Sequence, residues 1–233
     1  MFFAGAVALP FQTLLSALML LGLILLGICM TLLMSRLLSK TVLKGMPSSF
    51  ALELPPYRRP QILKVIVRSI FDRTLFVLGR AVVVALPAGL VIWLLANITV
   101  NDSSLLQYCT DFLNPFARFF GLDGVILMAF ILGFPANEIV IPIMLMAYMS
   151  TGSLTEMQSL EQFHTLLINQ GWTIITAICV MIFYLFHFPC STTCITIYKE
   201  TKSLKWTALA FLLPTVTGLS FCFLISSIGK IFL

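Results

Sequence analysis

Charge is the scarcest commodity in this sequence. Of 233 residues only 10% are Asp, Glu, Lys or Arg, while 60% are hydrophobic and the mean hydropathy is +1.05. A soluble globular domain carries about 25% charged and about 45–50% apolar residues, so an ordinary soluble enzyme is excluded. Disorder is excluded too, because disordered chains are rich in charge and poor in aromatics, and 12% of this chain is aromatic. No Gly-x-x-x-x-Gly-Lys-Ser/Thr loop occurs, so no nucleotide-hydrolysing site can be built. There is no nucleophile–base–carboxylate arrangement, and the sequence predicts that the chain is not an enzyme. The six cysteines (Cys29, Cys109, Cys179, Cys190, Cys194 and Cys222) have the spacing of neither a disulfide framework nor a closed zinc site. Most lie in apolar stretches, where Cys packs as a small hydrophobe. Met1 opens directly into apolar sequence without a basic stretch, which predicts no removable signal peptide.

What is present is a series of long apolar runs, which predicts an all-α, polytopic transmembrane helical bundle. At about 20 residues per span, the chain holds at most six or seven crossings. The first span runs from about Pro10 to Met34. Nine of the 14 cations then fall between Arg36 and Arg80. Such a cluster marks a cytoplasmic segment, and nothing suggests a nucleic-acid-binding domain. Pro47, Pro55, Pro56 and Pro60 forbid a long helix over residues 45–60. Over residues 61–74, Ile62, Val65, Ile66 and Ile70 repeat at helical spacing, with Lys64, Arg68 and Asp72 on another face, which predicts an amphipathic helix at the inner surface. A second span covers about Leu75 to Leu95, with Trp93 at the far interface. Residues 97–115 turn polar and acidic, and read as an external loop.

Two later elements are interrupted. Gly124 to Phe134 is apolar for only 11 residues, then comes Pro135-Ala136-Asn137-Glu138, and apolar character resumes from Ile139 to Met149. This pattern predicts a discontinuous helix or a re-entrant hairpin, since irregular backbone at membrane depth survives only where protein or water covers it. Trp172 to Phe188 is likewise interrupted at Pro189 and continued by Cys190-Ser191-Thr192-Thr193-Cys194. A last span covers Trp206 to Ile228. Charge placement favours the hairpin. A single crossing at 124–150 would put the cation-free 151–170 loop inside and Lys199, Lys202 and Lys205 outside, both against the bias of cations toward the cytoplasm.

Short or Pro-interrupted hydrophobic segments are the best sequence pointer to a transport site. Glu138 and Asn137 stand at the first break, and an acid at membrane depth costs roughly 2.5–3.5 kcal/mol on insertion scales. Its alternative role is to cap the broken backbone. The second break carries His187, Cys190, Thr193 and Cys194, with Cys190 and Cys194 on one helical face. His, Cys and Glu suit a borderline metal such as Fe²⁺, Zn²⁺ or Mn²⁺. The competing reading is that these cysteines pack and Pro189 alone explains the kink. Cys179 and Cys222 read as packing residues, and His164 as a solvated residue of an external loop.

These motifs carry a family resemblance. Gly133-Phe134-Pro135-Ala136-Asn137-Glu138-Ile139-Val140-Ile141-Pro142 resembles the second gate motif of the ferrous iron transport protein B (FeoB) family. Phe188-Pro189-Cys190-Ser191-Thr192-Thr193 resembles a further signature of the same repeat, and Lys44-Gly45 through Glu53-Leu54-Pro55-Pro56-Tyr57-Arg58 resembles the preceding cytoplasmic linker. The resemblance implies three regions. Residues 1–44 would hold the first transmembrane helix and residues 45–74 the linker and amphipathic helix. Residues 75–228 would form the second gate-type repeat.

It further implies Fe²⁺ uptake across the bacterial inner membrane by a multi-pass protein, with Fe²⁺ as the transported ion and no tightly bound cofactor. Metal contacts would come from Cys190, Glu138, Asn137 and, less directly, Cys194. GTP would act only through a GTP-binding domain, expected with the first gate repeat on another chain. A small SH3-like accessory protein is the further implied partner, beside the lipid bilayer. Two other readings stay open: a non-conducting or vestigial membrane subunit that assembles with a complete transporter, and a nucleoside-type carrier.

Overall fold

The computed structural model describes residues 9–41, 75–100, 103–150 and 160–232, together with Leu63, Val67 and Phe71. The linker over 45–60 lies outside the described residues, as does most of the amphipathic segment over 61–74. The chain divides into two compact units, Leu14–Arg80 and Met1–Thr13 with Ala81–Leu233.

Most of the described part of the first unit belongs to helix α1 (Leu9–Lys40). Its apolar side chains are exposed on every side, including Leu14, Leu18, Leu25 and Leu32. A helix apolar all round is a membrane span rather than the wall of a soluble core. Its 28-residue stretch Thr13–Lys40 is about 42 Å long at 1.5 Å per residue, more than the roughly 30 Å of a bilayer's hydrocarbon core.

The second unit begins in α2 (Phe76–Asn97), which tolerates Pro87 in its interior. After α2 the expected external loop is replaced by structure. A two-residue antiparallel pair, β1 (Thr99–Val100) and β2 (Ser103–Ser104), leads into α3 (Leu105–Phe119). The reason is legible locally: the Ser104 side chain caps the helix by accepting from Gln107 N at 3.2 Å. The polar residues then fall on one face and Tyr108, Phe112, Phe116 and Phe119 are exposed on another. Polarity over 105–115 therefore marked an amphipathic helix and not a loop. The same correction applies to 160–169, where α6 (Leu160–Asn169) forms and buries Leu167, while the rest of that expected loop, 151–159, lies outside the described residues. His164 lies on this helix, not in a loop, and is only half-exposed.

At Gly121, φ +69, the chain turns by 109° from α3 into α4 (Gly124–Leu132). A short 3₁₀ turn (Asn137–Ile139) separates α4 from α5 (Val140–Met149). Then come α7 (Ile174–Phe186), α8 (Ser191–Thr201) and α9 (Leu204–Phe232). The fold is thus an all-α membrane bundle with broken helices. Among the described residues, Thr13–Lys40, Ile174–Thr201 and Leu204–Lys230 are long and apolar enough to cross a membrane, and the bent pair α3–α4 makes a fourth if counted as one span.

The core of this unit lies between α4, α5, α7 and α9. Phe130 and Phe183 are both buried and meet edge to face at 4.7 Å, a geometry that aligns the positive ring edge with the negative face. Cys179 and Cys222 are fully buried and exchange thiol-to-carbonyl contacts at 3.7 and 3.2 Å, which ties α7 to α9. They are packing residues, as their apolar neighbours in sequence suggest. Gly218 lets α9 approach Phe186 closely, since a Cβ there would stand 3.1 Å from the Phe186 Cβ.

Candidate functional site

The interruption between α4 and α5 is a hairpin. Asp123, at the start of α4, and Tyr148, near the end of α5, are 25 residues apart in sequence, yet the Tyr148 hydroxyl donates to the Asp123 carboxylate. The segment therefore enters the bundle and returns to the same end. Trp172 Nε1 also donates to the Tyr148 hydroxyl at 2.8 Å, so α7 starts at that end as well. Asp123 doubles as the helix cap, accepting from Ile126 N at 2.7 Å. Burial pushes its carboxyl above the ordinary range, against the opposing hydrogen bonds from Tyr148 and Ile126. At this mouth lies a polar cavity of about 550 Å³, lined among others by Gln107, Asp111, Asn114, Arg118 and Asp123.

The hairpin tip lies one helix length from the mouth. Nine residues of α4 descend about 14 Å, roughly half a hydrocarbon core. Two close approaches make the hairpin possible. A Cβ on Gly124 would collide with the Thr110 backbone of α3, and one on Gly133 with Val140 across the tip. Only glycine admits both contacts.

The tip meets the second break. Ser191 N, at the start of α8, donates to Phe134 O at 2.8 Å, and the Tyr184 hydroxyl donates to Asn137 O at 3.3 Å. Two interrupted helices thus satisfy part of each other's freed backbone, as irregular chain inside a membrane must. Phe134, Phe188 and Phe211 cluster around this junction with ring centroids 4.9–5.8 Å apart.

The sequence-predicted residues occupy this junction unevenly. Cys190 is half-buried at the N-cap of α8, its sulfur 3.1 Å from both the Thr192 and Thr193 hydroxyls. Cys194 lies one turn on, and its thiol donates to Pro189 O at 3.6 Å, which covers a carbonyl freed by the break. Asn137 is half-buried in the 3₁₀ turn, whereas Glu138 beside it is exposed. Among the described residues, no three His, Cys, Asp or Glu side chains gather in a group that could hold a metal ion. The junction is instead a mixed site of thiols, hydroxyls, an amide and one imidazole.

Sequence reasoning gave no weight to Ser191 and did not single out Tyr184, although Tyr184 lies one turn before His187. The mouth was also missed. An acid directly before an apolar run is a helix-start signal that could have found Asp123, but its pairing with Tyr148 has no sequence signal.

Comparisons with known proteins agree with the motifs. The family model described as ferrous iron transport protein B C terminus matches residues 20–73, and the Gate model, described as nucleoside recognition, matches residues 78–204. The protein named Fe(2+) transporter FeoB from Staphylococcus aureus (strain MSSA476) is 33% identical over 234 residues, covering 93% of this chain and 32% of the relative. Its namesake from Leptospira interrogans (strain 56601) is 25% identical over 241 residues, covering 93% and 34%. That of Leptospira biflexa is 25% identical over 223 residues, covering 88% and 32%. The chain spans about a third of the length of these curated relatives. No solved structure matches it.

Proposed function

The chain belongs to the ferrous iron transport protein B family, and from that membership we propose that it is the C-terminal membrane part of a ferrous iron transporter. Fe²⁺ passes the junction of the two helix breaks on its way across the bacterial inner membrane. The observation that carries this reading is the bond from Ser191 N to Phe134 O. It supports a single polar station inside an otherwise apolar bundle, in place of two unrelated kinks. Transport sites in membrane carriers form where interrupted helices meet near the midplane.

The chemistry suits a borderline divalent ion. The Cys190 sulfur supplies a soft donor, and Asn137 and Glu138 supply harder oxygens. Cys194 assists from the next turn by holding the Pro189 carbonyl. A handful of weak ligands, without a closed cage, lets the ion leave as readily as it arrives. Exposed Glu138 suits a partner surface such as the first gate repeat of the complete transporter. GTP-dependent gating, by a GTP-binding domain with or without a small SH3-like accessory protein, belongs to that complete assembly.

The test is Fe²⁺ flux into proteoliposomes that hold this chain together with the GTP-binding domain and first gate repeat of the complete transporter. Cys190→Ser lowers the flux, and Glu138→Ala lowers it independently. Unchanged flux in both variants refutes the proposed path. The description of the Gate model favours one second reading, a nucleoside-type carrier. Nucleoside uptake by the same vesicles, unaffected by Fe²⁺, would select it. Vesicles that move neither solute would point to a non-conducting subunit.

A further inference from the structure

Among the described residues, three buried side-chain atoms lack a hydrogen-bond partner: Asn137 Oδ1, His187 Nε2 and Ser191 Oγ. Folded proteins pair the great majority of such atoms, and each exception calls for an explanation. These three are not scattered. Asn137 stands in the first break, His187 opens the second, and Ser191 closes it. Ser191 is only 8% exposed.

The breaks are also neighbours in space. Tyr184 touches both: its hydroxyl donates to Asn137 O at 3.3 Å, and its own carbonyl lies 2.8 Å from His187 Nδ1. The Ser191 amide is bonded to Phe134 O on the hairpin tip. The His187 ring is held among Phe130, Tyr184 and Phe188, with centroids 5.3–5.7 Å away.

The contact of Nδ1 decides what Nε2 can do. A carbonyl oxygen only accepts, so Nδ1 carries the ring proton, and neutral Nε2 presents a lone pair. Metal-binding histidines almost always donate the other ring N–H to such a partner, a backbone carbonyl, a carboxylate or water. Asn137 Oδ1 presents lone pairs, and Ser191 Oγ can do so. An array of acceptors at a buried junction repels anions and suits a cation. One imidazole nitrogen favours a first-row divalent ion over Mg²⁺ or Ca²⁺, which prefer all-oxygen shells.

We propose that His187 Nε2, Asn137 Oδ1 and Ser191 Oγ form a neutral ligand set for the divalent cation in transit, with His187 as its selecting ligand. The set rests on the iron-path reading, which already includes Asn137, and adds to it two ligands, His187 and Ser191. Three neutral donors leave the ion's charge uncompensated, which keeps binding weak enough for passage.

The test uses Mn²⁺ as an electron-spin probe on the purified chain in detergent, without mutation in its first arm. The wild-type chain binds Mn²⁺, and pulsed EPR detects one imidazole nitrogen whose signature changes when histidine is ¹⁵N-labelled. The chain has only two histidines, so His164→Ala keeps the signal and His187→Ala abolishes it with at least about tenfold weaker binding. Ser191→Ala and Asn137→Ala weaken binding but retain the nitrogen signal. Mn²⁺ bound without an imidazole nitrogen overturns the assignment, and leaves the iron path to be carried by other ligands. Absence of Mn²⁺ binding overturns it as well, and the flux of the Cys190 and Glu138 variants then decides the iron-path reading separately.

Discussion

Tyr148→Phe is the sharpest test of the hairpin, because it removes one oxygen and keeps the ring. That hydroxyl makes two bonds: it donates to Asp123 and accepts from Trp172 Nε1 at 2.8 Å. Losing a donor to a partly buried carboxylate costs about 1–3 kcal/mol, and taking away the acceptor of Trp172 Nε1 adds about 1 kcal/mol. The ring contact with Trp172, at 6.5 Å between centroids, survives. The sum is roughly 2–4 kcal/mol, or a fall in Tm of roughly 5–15 °C by the scaling for domains of this size. Tryptophan fluorescence during thermal unfolding in detergent reads the loss, with Trp172 as a local reporter. Hydrogen exchange reads it independently as faster opening of 140–149. A double-mutant cycle with Asp123→Ala isolates the pair, and the two costs fall short of additivity by about 1–3 kcal/mol. A Tm within about 2 °C of wild type, with additive costs, would refute the clasp and with it the main support for a hairpin.

Other outcomes follow from the same geometry. Gly124→Ala places a Cβ against the Thr110 backbone, with the Asn114 amide 3.0 Å away. No side-chain rotation relieves this, so the variant loses about 3 kcal/mol or more of stability, measured by unfolding in detergent. Because Asp123 has a raised pKa in the fold, the folded chain binds the extra proton. The contribution of Asp123 to stability is therefore fully present below the ordinary carboxyl range and is lost as pH rises through the raised value. Asp123→Asn flattens that decline, and a wild-type profile flat across the window would contradict it. For topology, cysteines placed at Ser159 and Ser203 are expected to label from opposite sides of the membrane. Labelling of both from one side would sink the hairpin arrangement.

Much of the architecture was written in composition and spacing. Long apolar runs announced the spans, and Pro135 and Pro189 announced the interruptions, because a missing N–H and a ring clash act locally. Cation placement favoured the hairpin before any contact was known. Amphipathic helices α3 and α6 were not anticipated, because short polar stretches between spans read alike whether they coil or lie as helices. Part of the candidate site was legible: Cys190, Cys194, Asn137 and Glu138 stood out as chemistry-bearing residues at breaks. Their unequal placement was not. Glu138 faces outward while Asn137 turns partly inward, and Cys194 is engaged with the Pro189 carbonyl.

The sequence by itself determined that this is a membrane chain with two broken helices, because hydropathy and proline act residue by residue. Only the tertiary structure decided that the breaks touch. Ser191 meets Phe134 across 57 positions of sequence, and Asp123 meets Tyr148 across 25. Such pairings depend on how helices dock, which no local signal encodes. Orphaned polarity is likewise a tertiary property. Asn137 and His187 stood out in sequence as polar groups at the breaks, but that their buried Oδ1 and Nε2 lack partners, and that Ser191 Oγ joins them, depends on packing that removes water and supplies no partner.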